Sequence, residues 1–95
     1  MEMDLATYRA RIDSIDDIIL ELLNRRLKYA LEINQIKLEK HQQVLDAGRE
    51  QRILTRLHDY NEGPLSAAGL ERIYQTIIAE SRRLMEQSRP AEEGG

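Results

Sequence analysis

Arg26 is a cation standing where the pattern of its neighbours calls for an apolar residue, and it has company. Lys37 follows eleven residues later, three helical turns on and about 20° round, so both long side chains reach one wall from opposite ends. A desolvated guanidinium needs a partner, either an acidic side chain in a structural ion pair or an anionic ligand. Lys37 taken singly also reads as a solvated cation near a helix C-terminus. Arg9 lies seventeen residues before Arg26 and about 100° off its face. It therefore serves either the surface or a pocket on a second chain. Eleven of the fourteen basic residues are Arg, the side chain suited to forked capture of carboxylates.

Other polar residues bear on the same region. Asp46 is placed to cap a helix, with Arg49 and Glu50 in its first turn. Glu50 aligns with Leu54 and Leu57, as a hydrogen-bond acceptor for a ligand hydroxyl or as an acid favoured by the helix dipole. Ser81 interrupts an apolar stripe between Ile77 and Leu84/Met85, where a serine usually bonds back to its own helix. There is no Cys. His41 and His58 are isolated, and no Gly-rich phosphate loop or dinucleotide fingerprint is present, so metal, nucleophilic and acid–base chemistry lack candidates. Fixed positive donors that capture a small anion are what the residue types support.

The elements that must position these groups are helices. Asp4 to about His41 contains neither Pro nor Gly, and Leu5, Tyr8, Ile12, Ile15, Ile19, Leu22, Tyr29, Ile33 and Ile36 recur in alternating steps of three and four, with one step of seven after Leu22. In heptad columns Arg26 falls in line with Ile12, Ile19 and Ile33. This predicts one helix of about 57 Å, longer than a compact domain of this size, which must pack against something outside its own chain. A second helix is predicted from the Asp46 cap to near Tyr60, with Ile53, Leu54 and Leu57 on one face. Asn61-Glu62-Gly63-Pro64 is a turn signal, and Ser66 caps a third helix with a stripe of Leu70, Ile73, Tyr74, Ile77, Ile78 and Leu84.

These expectations amount to one all-α domain over residues 1–88 with a disordered tail, 89–95. Hydrophobic residues make up 41% and charged residues 33%, leaving room for one core. A monomer of this length buries only about 60% of its unfolded surface, which favours a homodimer. A net charge of −3 argues against nucleic acid as a partner. No signal-peptide core and no apolar run near ~20 residues is visible, so no membrane role and a cytoplasmic location are expected.

From about Asp4 to Met85 the chain resembles the all-helical class of chorismate mutases. The resemblance rests on Arg9 in YRARIDSID, Arg26 in LLNRRLKYALEI, Lys37 in NQIK, Val44-Leu45-Asp46-Ala47-Gly48-Arg49-Glu50, the NEGPLS turn and Ile77-Ile78-Ala79-Glu80-Ser81. It implies three helices per chain in an intertwined homodimer whose two sites each borrow Arg9 from the other subunit. It implies that Arg9 and Arg26 bind the two carboxylates of chorismate, and that Lys37 contacts a carboxylate and the ether oxygen. Glu50 would hold the ring hydroxyl, with Asp46, Arg49 and Ser81 completing the lining. The implied reaction is the pericyclic rearrangement of chorismate to prephenate in phenylalanine and tyrosine biosynthesis, without a cofactor.

One position departs from the family pattern. Four residues after the serine the family usually carries Gln or Glu, which donates a second hydrogen bond to the ether oxygen; here that position is Met85, which has no donor. Loss of one preorganised donor costs on the order of 100- to 1000-fold in rate. Glu86, one residue on, is the other register. An isochorismate pyruvate lyase of the same fold and a non-catalytic helical dimer or regulatory module are the competing functions.

Overall fold

The absence of Pro and Gly between Asp4 and Lys40 lets one helix run unbroken. In the structure, a computed structural model describing residues 4–40 and 47–88, α1 spans Leu5–Glu39, α2 Ala47–Tyr60 and α3 Ala67–Gln87. His41, the Asp46 cap and the tail 89–95 lie outside the described residues.

Helix ends follow local chemistry. The Thr7 backbone N–H donates to the Asp4 carboxylate at 2.9 Å, satisfying one donor that the first turn leaves orphaned. That bond holds the Asp4 carboxyl below its ordinary range, so the cap is at full strength above the usual carboxylate pKa and fades as pH falls through the lowered value. Ser66 caps α3 as expected, accepting from the Gly69 N–H at 3.0 Å. Between α2 and α3 the chain reverses through Asn61, whose Oδ1 accepts from the Gly63 N–H at 2.9 Å and whose Nδ2 donates to the Leu65 carbonyl at 2.8 Å. Gly63 has φ +77°, a left-handed conformation that glycine adopts without steric penalty.

The three helices run up, down and up. Arg26 meets Ser81 and Asn34 meets Met85 and Ser88, so α3 lies parallel to the second half of α1. Glu50 meets Arg82 and His58 meets Glu71, so α2 runs antiparallel to α3. Among the described residues the buried apolar side chains are Ile53, Leu70 and Ile78. Among the described residues no helix is long and apolar enough to cross a membrane.

The heptad stripe of α1 is not the face that packs within the chain. Leu5, Tyr8, Ile12, Ile15, Ile19, Leu22, Tyr29, Ile33 and Ile36 are 48–63% exposed, and every residue from Leu5 to Leu22 is exposed. A second face carries α3: Leu23, Leu27, Leu31, Asn34 and Leu38, all partly or fully covered. The molecule is accordingly long, 68 × 26 × 17 Å with a radius of gyration of 17.7 Å, against about 12 Å for a compact domain of this length. Ile73 of the α3 stripe is also half exposed.

Asn34 is the sole buried residue of α1, at 2% exposure. Its Nδ2 donates to the Met85 carbonyl at 3.3 Å and to Ser88 Oγ at 3.2 Å, holding the last turn of α3. Asn34→Ala is expected to destabilise the fold by about 1–3 kcal/mol, through a vacated buried site and a less satisfied helix end. Chemical denaturation checks this. An unchanged midpoint would show that the amide does not hold α3.

Candidate active site

Each helix gives one face to a common pocket. Residues 26, 30, 33 and 37 repeat at helical spacing, so Arg26, Ala30, Ile33 and Lys37 form one wall on α1. Arg49, Glu50 and Ile53 come from the first turns of α2, and Ile78, Ser81, Arg82 and Met85 from α3. They enclose a cavity of about 140 Å³. Its floor is apolar and its rim charged, with four cations around one carboxylate.

Arg26 has a partner that is not an acid. Its Nη1 donates to Ser81 Oγ at 3.0 Å, and Ser81 Oγ donates to the Ile77 carbonyl at 3.1 Å. The buried serine thus bonds back to its own helix, as its position in the stripe suggested, and also aims the guanidinium. Among the described residues Arg26 meets no carboxylate, which leaves its positive charge for an anion. Lys37 is half-buried, and no described residue pairs with it. Glu50 accepts from Arg82 Nη2 across the α2–α3 boundary.

Of the residues singled out in the sequence, the structure gathers Arg26, Lys37, Arg49, Glu50, Ser81 and Met85 around this cavity. Arg9 sits on the projecting first half of α1, exposed and away from its own chain's pocket. Asp46 lies outside the described residues. Met85 lines the cavity while Glu86 is exposed.

Arg82 was not singled out. Its signal was present, since Ile78, Arg82 and Met85 stand at i, i+4 and i+7 on one side of α3. His58 plays no part here; it pairs with Glu71 at 3.0 Å at the other end of α2. Among the described residues no group of three or more His, Cys, Asp or Glu is placed to hold a metal ion.

Some known proteins are similar to this chain in sequence, and some solved structures are similar to it in fold. The bifunctional chorismate mutase/prephenate dehydratases of Buchnera aphidicola and Neisseria gonorrhoeae are 34% identical over 79 residues and 36% identical over 76 residues, 82% and 80% of this chain. The chain spans 20% of the length of each. Among solved structures, chorismate mutase (Form II) from Thermus thermophilus superposes with a TM-score of 0.86 at 26% identity, over 88% of this chain and 96% of that one. Chorismate mutase from Helicobacter pylori, solved in complex with prephenate, gives 0.80 at 35% identity, over 87% and 90%. The chorismate mutase type II family model matches residues 8–86, and this chain belongs to that family.

Proposed function

We propose that the chain is a chorismate mutase, an isomerase converting chorismate to prephenate, and that it works as a homodimer with shared sites. The observation that carries this is the pairing of Arg26 and Lys37 on one wall without a carboxylate partner among the described residues, in a chain of this family.

The rearrangement breaks the ether C–O bond and forms a C–C bond in one cyclic electron shift, so no proton is transferred and no cofactor is needed. Two tasks remain: holding the flexible enolpyruvyl side chain over the ring, and stabilising charge that grows on the ether oxygen. Arg26, aimed by Ser81, clamps a substrate carboxylate in a fixed orientation. Lys37 meets a carboxylate and the ether oxygen, where its charge counts most in the transition state. Glu50 accepts the ring hydroxyl, and Arg49 completes the rim. The apolar floor of Ile33, Ile53 and Ile78 lowers the local dielectric and strengthens each of these contacts.

Arg9 enters from the partner. Its Cα lies about 25 Å along α1 from that of Arg26, beyond the reach of an arginine side chain. The exposed stripe from Leu5 to Leu22 supports a partner helix, because a contiguous apolar face of that length marks an interface. A second copy laid along α1 covers the stripe and brings its own first half of α1 to this pocket.

These assignments are open to direct tests. Purified protein incubated with chorismate is expected to consume it, followed by ultraviolet absorbance, and to yield prephenate, with Arg26→Ala losing at least ~100-fold in kcat/KM; release of pyruvate would indicate a lyase, and no turnover would end the mutase reading. Met85→Gln, which restores a donor to the ether oxygen, is expected to raise kcat on the order of 100-fold, whereas an unchanged rate would show that no donor is missing. Arg9→Ala and Arg26→Ala chains, each inactive, are expected to regain about a quarter of wild-type activity when refolded as an equal mixture. Half of the dimers are then mixed, and each mixed dimer holds one intact site. No recovery would exclude shared sites.

A further inference from the structure

Arg82 has no assigned part in the chemistry above, yet it lines the cavity between Ile78 and Met85 and donates to the pocket carboxylate, Glu50. The two residues sit 32 positions apart on different helices, so their meeting depends on the α2–α3 packing. Two features set the pair apart from a surface ion pair. Both side chains are less than half exposed, and Arg82 Nε is buried with no acceptor among the described residues. An arginine free to swing into water would hydrate that N–H. Here the guanidinium stays inserted against the pocket wall, with one donor unsatisfied, while its Nη2 holds Glu50.

We infer that Arg82 is a positioning residue acting through Glu50: it pins the carboxylate of α2's first turn as an oriented acceptor for the substrate's ring hydroxyl and offsets its repulsion of a dianionic substrate. This rests on the mutase reading. A glutamate in the first turn of a helix has three rotatable bonds, and ordering them on substrate binding weakens binding. A carboxylate beside two substrate carboxylates is also repelled by them. A guanidinium bonded to Glu50 before substrate arrives removes both penalties from the binding step. Because the hydroxyl contact persists from bound substrate to transition state, the benefit falls on KM more than on kcat.

The test is a double-mutant cycle in steady-state kinetics on the full chain with chorismate, comparing wild type, Arg82→Met, Glu50→Gln and the double variant, with Arg82→Lys as the conservative replacement. Arg82→Met is expected to raise KM on the order of 10- to 100-fold with kcat changed less than about threefold, and Arg82→Lys to recover part of that loss. In the Glu50→Gln background the same Arg82→Met change is expected to move KM less than about threefold, since the residue it acts through is already altered. Equal effects in both backgrounds would overturn the inference, as would a fall in thermal midpoint with KM unchanged, the mark of a brace for the fold alone. Arg82→Lys reports on a chain that keeps the cation should Arg82→Met fail to fold. A wild type that does not turn over chorismate removes the mutase reading and this inference with it; a wild type that does so while the cycle is additive removes only the inference.

Discussion

A buried hydroxyl satisfies a guanidinium only by giving it a lone pair, and Ser81 does this for Arg26 while its own proton rests on the Ile77 carbonyl. That arrangement fixes three things together. It sets the register of α3 on α1, it points the fork of Arg26 along the cavity wall, and it leaves the positive charge unneutralised because the partner is neutral. A carboxylate at position 81 would have held the helices as well, but it would have occupied the charge that a ligand needs. Eight residues along α1 from Arg26, Asn34 does the equivalent job with an amide, again without adding charge. The joint between α1 and α3 is thus polar, specific and electrically silent.

Four cations around a single carboxylate look unfavourable until distances are considered. Arg26 and Lys37 are separated by three turns, about 16 Å between Cα atoms, where two unit charges repel by about 1 kcal/mol at an effective dielectric of about 20, before salt screening. A ligand carboxylate within about 4 Å of either cation gains about 4 kcal/mol by the same measure, before desolvation. Wide spacing keeps the unliganded chain tolerable, and under the proposed function a shared anion is what draws the long side chains together. The Glu50–Arg82 pair follows another logic, since both members are present in the chain and cancel locally.

Much of this was visible in the residues alone. The unbroken α1, the Ser66 cap and the turn at Asn61 come from local chemistry, which is why their positions matched. Arg26 and Lys37 were legible because both lie on one helix, where spacing alone decides whether they share a wall. Three features were not. The heptad columns pick out the stripe from Leu5 to Ile36, but α1 carries a second apolar face through Leu23, Leu27, Leu31 and Leu38, and only tertiary packing decides which face meets α3. Asn34 sits on that second face, so its burial was hidden with it. The spacing of Arg82 from Ile78 and Met85 placed it on the pocket side of α3, but its pairing with Glu50 depends on the placement of α2 against α3, a relation between segments 32 residues apart that no periodicity encodes.

The division of α1 into two apolar faces ties folding to catalysis under the proposed dimer. The face that meets α3 carries the packing within the chain, while the pocket wall of Arg26, Ala30, Ile33 and Lys37 belongs to the stripe side, which is otherwise left half exposed from Leu5 to Ile36. Arg9 rides on the projecting part of that same helix, out of reach of its own pocket. One event, the docking of a second α1 along the exposed face, therefore both buries the apolar surface and supplies the last arginine. Under the proposed dimer, a chain whose buried apolar side chains among the described residues are Ile53, Leu70 and Ile78 gains much of its stability from that event. The length of α1 is then set by the site: a helix trimmed to match α3 would pack neatly on its own chain and carry no arginine to its neighbour.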